Sequence, residues 1–316
     1  FTQGVFQGVG LWSLNSGDRF VFVVAGHVYS MKVDTYDVID HGLLLNTTGQ
    51  CFFCQADKYM LVQDGTNNAV ILDEVAGVAS IYSGTESVPA GYMMVFAHGR
   101  LHMVPSVIPS TTTDGRTSLV SGDITDPSDP STCLQFTETE YLAEGGAHGL
   151  PAELGFIRGL GVFRNAATGT GLGQVVVLAR NGVCAFDFSM YRDNWTSVAL
   201  SQILFFNAGC TSPWSVLNVN DDLLYRGYDG WRTIRYTASQ SSIASGSLST
   251  LPLTTSVQSY MTDDAPYLDW ASATLCDNRV FFTVGGKTGN QFQGLLSWDV
   301  AAAEYNGIQA TGVFEG

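Results

Sequence analysis

The residues of this chain that could do chemistry are few and scattered. Its five histidines (His27, His41, His98, His102 and His148) show no HxH or HExxH spacing, so no pair is set to ligate zinc from one helical face. His98 and His102 lie four apart, but in a hairpin rather than on a helix; His27 and His98 fall at hairpin turns, where a polar ring is expected to face water. Cys51-Phe-Phe-Cys54 has CxxC spacing within an apolar run of strand character. Residues three apart on a strand point to opposite faces, so the two sulfurs diverge. Cys133, Cys184, Cys210 and Cys276 supply no second pair at metal spacing and no regular disulfide framework. Buried free thiols are expected instead.

The acidic residues lead no further. Asp123, Asp126 and Asp129 repeat every third residue in GDITDPSDP. Calcium loops need oxygens at alternating positions around a glycine, and prolines stand there instead, so Asx turns are the reading. Asp221-Asp222 and Asp263-Asp264 are adjacent pairs. Paired carboxylates for glycoside cleavage would have to meet in space, which the sequence leaves open. A GxSxG nucleophile turn is absent, as are the Ser-x-Asp-x-Gly-x-x-Trp box and the Gly-His…Trp-Asp repeat; Trp298-Asp299 stands alone. Gly171-Leu172-Gly173 precedes a strand rather than a helix, so no phosphate loop is implied. The sequons at Asn46 and Asn194 are no more than a Thr-rich chain produces by chance. The reading is therefore a non-enzyme with no catalytic, cofactor-binding or metal residues.

Composition narrows the partners. The net charge is −15, with 29 acidic residues against 14 basic ones. Such a chain does not grip duplex DNA along a broad face, because that affinity comes from neutralising phosphates; an acidic wall can still let DNA slide past. Seven of the eleven arginines (Arg158, Arg164, Arg180, Arg192, Arg226, Arg232, Arg235) fall in one quarter of the chain, where strand arginines facing nearby acids are expected rather than a basic patch. No apolar run approaches the ~20 residues a bilayer span needs. The chain opens FTQGVFQGVG, without Met or a signal-like core, and a processed or truncated start is expected.

The elements that position these residues repeat. Val21–Asp34 is an apolar strand, a Gly-centred turn and a second strand. The cadence returns at Cys51–Asp64, Met93–Pro105 and Val175–Asp187, and more loosely at Leu223–Tyr236 and Val280–Asp299. Arg180-Asn181-Gly182 is the strongest short hairpin signal among them. Residues 1–18 suggest a closing or arm strand, Tyr36–Leu45 alternates weakly, and only 137–144 and Asp299–Glu304 have room for a helical turn. Six hairpins in 316 residues, each with companion strands, predict an all-β chain: one β-propeller of six blades, with seven as the alternative. The blades fall at about 10–45, 46–87, 88–150, 151–205, 206–260 and 261–316, with Val21–Asp34 as the inner pair of its blade. The double-length interval between the third and fourth hairpins holds an insertion or a degenerate blade.

Three stretches carry a family resemblance. LARNGVCAFDFSMYRDNW (Leu178–Trp195) and SPWSVLNVNDDLLYRGYDGWRTIRY (Ser212–Tyr236) resemble successive strand pairs of bacteriophage tail propellers. The earlier SLVSGDITDPSDPSTC followed by GFIRGL (Gly155–Leu160) is similar to a linkage in the same propellers. The family is the head-to-tail hub or nozzle propeller of short-tailed bacteriophages, the packaged-DNA stabilisation proteins. The resemblance covers about half of the chain and implies a structural virion protein in the tail, assembled in the host cytoplasm. It implies a ring of copies, usually six, beneath the portal and its adaptor, with DNA passing through and fibres or spikes attached outside. No plug or platform domain of that family is evident. The alternative is a carbohydrate-binding or glycan-cleaving propeller, an adhesin, using Trp12, Trp214, Trp231 and Trp270. For each of these, packing between blades is the competing role.

Overall fold

A computed structural model of the chain describes residues 3–86, 88–108, 111–136, 146–163, 173–189, 195, 201–220, 222–235, 252–254, 265–284, 294–299 and 310–315. These residues are nearly all β. They form two compact units, residues 1–150 with 190–198 and residues 151–189 with 199–316.

Unit 1 holds three four-stranded antiparallel sheets, each an up-and-down meander. The first comprises β1 (Phe6–Trp12), β2 (Arg19–Val24), β3 (His27–Lys32) and β4 (Val38–Leu43). The second comprises β5 (Phe52–Ala56), β6 (Tyr59–Gln63), β7 (Val70–Val75) and β8 (Val78–Ile81). The third comprises β9 (Gly91–Ala97), β10 (Arg100–Pro105), β11 (Ser118–Ser121) and β12 (Ala147–Gly149). Within the unit, β1 neighbours β5 and β5 neighbours β9, so the first strands form an inner row and the last strands lie outward.

Unit 2 repeats the plan. Its sheets are β13 (Ile157–Phe163), β14 (Gln174–Ala179), β15 (Gly182–Phe186) and β16 (Ser201–Phe206); then β17 (Leu217–Val219), β18 (Asp222–Arg226) and β19 (Trp231–Thr233); then β20 (Ala273–Cys276), β21 (Arg279–Val284), β22 (Gly294–Asp299) and β23 (Ala310–Glu315). Here β13, β17 and β20 form the inner row. The middle sheet shows three strands among the described residues.

The apolar hairpins of the sequence become β2–β3, β5–β6, β9–β10, β14–β15, β18–β19 and β21–β22. Four of them are the middle pair of their sheet or one strand removed from its edge, not an inner pair, because β1, β13, β17 and β20 precede β2, β14, β18 and β21. Residues 1–18 supply β1 rather than a detached arm, and the weakly alternating segment after β3 supplies β4. The long interval after β10 holds β11 and β12, which complete the third sheet.

Burial explains the near-continuous apolar runs. Strand β6 is buried on both faces: Met60 and Val62 join a core with Trp12, Val21, Val23 and Leu72, while Tyr59 and Leu61 join another with Leu101, Met103 and Val120. In β18, Leu224 packs with Trp231 and Phe282, whereas Leu223 and Tyr225 pack with Val176 and Leu178. A strand with no solvated face has no reason to alternate. At about 1.5–3 kcal/mol for each large apolar side chain, these inter-sheet layers hold each unit together.

Turns follow from backbone chemistry. Ala25-Gly26, Ala76-Gly77 and His98-Gly99 all have positive φ at both positions, the primed geometry that suits twisted hairpins. Asn181-Gly182 turns the chain without positive φ. The physical reason is a competing attachment: Asn181 donates its N–H to Leu154 O at 2.9 Å and its side-chain amide to Glu153 O at 3.0 Å.

Glutamines lock neighbouring sheets of unit 1. Gln7 donates to Asn46 O at 2.8 Å and accepts from the Gly26 N–H at 2.6 Å. Gln63 does the same for Pro89 O and the Gly91 N–H. Arg19 on β2, itself buried, reaches Glu74 at 3.2 Å and Gly77 O at 2.8 Å on the next sheet.

Candidate functional site

The chemistry-bearing residues divide between core and surface. Cys51 packs in the layer between the first two sheets, and Cys54, two positions into β5, packs in the layer on its other side. The sulfurs therefore diverge, and burial pushes both thiols up to about 12. All six cysteines are free, and Cys276 is exposed. Asp126 accepts from the N–H and hydroxyl of Ser128, both at 2.8 Å, in an Asx turn, and the Ser128 N–H holds its carboxyl below the ordinary range. Asp129 caps the 3-10 turn Pro130–Leu134, and Asp123 lies 3.6 Å from Arg100. Asp221, Asp263, Asp264, Asn194, Gly171, Leu172, Arg164, Arg192 and the segment 137–144 lie outside the described residues.

The turn histidines do not simply face water. His27 stacks on Tyr29 and meets Asp40 at 3.3 Å. His98 lies edge-on to His102, with ring centroids 6.4 Å apart. His102 is buried outright, its Nδ1 2.8 Å from Ser121 Oγ and its Nε2 3.2 Å from Ala97 O. The β10–β11 register sets His102 opposite Ser121, and the β11–β12 register sets His148 opposite Leu119 on the same sheet. His148 in turn meets Trp195 at 5.2 Å, and Trp195 lies 4.9 Å beneath the Arg100 guanidinium. Burial, with the charge of His98 next, drives the His102 pKa down to about 3. Its ring is a neutral hydrogen-bonding strut. Among the described residues no group of three or more His, Cys, Asp or Glu side chains could hold a metal.

The described arginines of the arginine-rich quarter divide between core and surface, with Arg180 and Arg235 exposed. Arg226 and Arg232 are buried, Arg232 bonded to Asp229 at 2.7 Å, and Arg158 lies 3.8 Å from Asp269.

Two surfaces stand out. On unit 1 the outermost strands β4 and β8 lie side by side. Along them Leu43 is 58% exposed, Val78 56% and Ile81 47%, and Val75 at the end of β7, beside β8, is 63% exposed. Beside them a cleft of about 420 Å³ is lined by Leu44, Asn67, Asn68, Ile81, Tyr82 and Glu86. Burial alone would raise the Glu86 carboxyl, but the Tyr82 hydroxyl at 2.7 Å and the Ser131 hydroxyl at 3.1 Å help hold it below its ordinary range. This rim offers apolar contact and one ionised acceptor.

The second surface, on unit 2, sorts the four tryptophans. Trp12 and Trp231 are fully buried: Trp12 donates to Lys58 O at 2.9 Å, and Trp231 packs on Phe282 at 4.6 Å. Trp270 is exposed and Trp214 half-buried, their rings 14° from parallel with centroids 6.3 Å apart. Each sits in a 3-10 turn leading into the first strand of its sheet, Pro213–Ser215 before β17 and Ala265–Trp270 before β20. The stacking could not be read from the sequence, because the partners are 56 positions apart; the shared place before a hairpin was the only signal.

No protein-family profile and no curated protein matches the chain in sequence. Solved structures do match its fold. The Cps50 (Swd1) β-propeller domain of Myceliophteria thermophila aligns over 100% of this chain and 87% of its own, at 11% identity and a TM-score of 0.52. A chain of the mitotic checkpoint complex aligns over 98% of this chain and 79% of its own, at 12% identity and a TM-score of 0.52. With six small antiparallel sheets, the fold is that of a six-bladed β-propeller. No helix among the described residues is long and apolar enough to cross a membrane.

Proposed function

We propose that this propeller is a structural virion protein of a bacteriophage tail or head-to-tail connector, working by assembly rather than catalysis. Copies of the chain form a ring through which DNA passes, joined to one another through their outer blade edges, and the ring in turn binds neighbouring tail, portal or adaptor proteins. The observation that carries this reading is the outward-facing apolar rim of β4 and β8. Edge strands present unpaired backbone donors and acceptors, and proteins that stay monomeric blunt such edges with charge or cover. Here Leu43, Val78 and Ile81, with Val75 at the end of the neighbouring β7, are left exposed, a composition that suits a protein contact. The resemblance of Leu178–Trp195 and Ser212–Tyr236 to phage tail propellers supports the setting, and the net charge of −15 suits passage of DNA without capture.

The test is mass spectrometry of purified virions from the phage that encodes the chain, with cross-linking. The chain should be present at ring stoichiometry, with cross-links from Lys58 or Lys32 to a second tail protein. Its absence from washed virions would overturn the proposal.

A further inference from the structure

We propose that unit 2 carries a binding site for a neutral glycan, built on the stacked Trp214–Trp270 pair and the Arg158–Asp269 pair beside it. Consecutive sheets deliver the parts to one place: Arg158 is the second residue of β13, Trp214 leads into β17, and Asp269 and Trp270 lead into β20.

The tryptophans are not core residues that fell short. This chain buries Trp12 and Trp231 completely, yet leaves Trp270 47% exposed. Parallel rings whose centroids are 6.3 Å apart overlap only partly, so they make a stepped aromatic platform rather than a closed sandwich. Such a platform accepts a flat apolar face, which three ligand classes offer: the C–H face of a pyranose, a nucleobase, or another aromatic ring.

The polar pair selects among them. Arg158 Nη1 and Asp269 Oδ1 are 3.8 Å apart, beyond hydrogen-bond distance, with the Asp269 side chain 70% exposed. The guanidinium therefore has donors and the carboxylate has acceptors to offer a ligand. Vicinal sugar hydroxyls use both at once, one accepting from Arg158 and its neighbour donating to Asp269. A nucleic acid brings phosphates toward Asp269 on a chain of net charge −15, without the basic surface that would hold them. An acidic sugar meets the same repulsion. A neutral pyranose chain, whether a free oligosaccharide or part of a surface polysaccharide, fits both halves of the site.

The experiment is titration of the full chain, followed by tryptophan emission and isothermal calorimetry. The probes are cellohexaose, maltohexaose, mannohexaose, xylohexaose and chitohexaose, with oligothymidylate as the competing class. At least one hexasaccharide should bind saturably. Trp270→Ala should weaken it by about tenfold or more, Trp270→Tyr by only a few-fold, and Asp269→Asn measurably, while circular dichroism and melting stay unchanged. Tyr36→Ser, an exposed aromatic of unit 1, should have no effect. Three results would overturn the inference: no binding by any hexasaccharide, binding that survives Trp270→Ala, or Trp270-dependent binding of oligothymidylate alone.

Discussion

His102 shows how far one residue's fate depends on register. The sequence places it four positions from a hairpin turn; only the pairing of β10 with β11 brings it to Ser121, and only β12 brings His148 nearby. Facing it are Ser121 Oγ, Ala97 O, His98, Arg100 and His148. With its folded pKa lowered to about 3 from the ordinary 6.5, this ring makes stability depend on pH in a definite direction. As pH falls from about 6.5 to 5, the unfolded chain takes up a proton here and the folded chain does not. Stability is therefore lost on acidification, at up to about 1.4 kcal/mol per pH unit. His41, also lowered by burial, adds to the same slope. Urea denaturation of His102→Gln across this window should give a shallower pH dependence than the parent chain; an unchanged slope would show that His102 does not stay neutral when folded. The divergence of Cys51 and Cys54 was legible beforehand, because strand geometry alone decides it. The histidine cluster and the Trp214–Trp270 stack were not, since contacts between distant positions leave no local pattern.

At the scale of elements, the hairpins were legible and their companions less so. Middle strands such as β6 and β14 are buried on both faces and read as apolar runs. The edge strand β4 mixes Val38, Asp40, His41 and Leu43 because most of it meets solvent, which is why its alternation is weak. Turn chemistry gives a controlled test. Gly26 and Gly77 occupy the same position of the same turn type, with φ of 79° and 81°. A Cβ on Gly77 would meet nothing within 4 Å, whereas one on Gly26 would collide with Leu45 O, in the segment whose Leu44 and Leu45 N–H groups bond to Gly26 O. Gly77→Ala should cost only the left-handed backbone strain, about 1 kcal/mol. Gly26→Ala should cost roughly 2–3 kcal/mol more. Equal losses in thermal melts would mean that the first hairpin is not docked on the chain after β4.

For the whole molecule, the repeat gives a scaffold whose working parts are its surfaces. His102 serves as a neutral strut and Cys51 and Cys54 as packing, the pKa values of the two thiols pushed far above any working pH. The two surfaces on which the proposals rest are the apolar rim of β4 and β8 and the aromatic shelf of unit 2. Assembly through the rim is the central claim, and native mass spectrometry of the purified chain tests it most directly. The parent chain should give a closed oligomer, with six times the 33.9 kDa chain mass as the expected species. The double variant Leu43→Lys with Ile81→Lys, folded by circular dichroism, should give the single chain. A parent that stays at 33.9 kDa at every concentration, or a double variant that assembles as the parent does, would contradict the account.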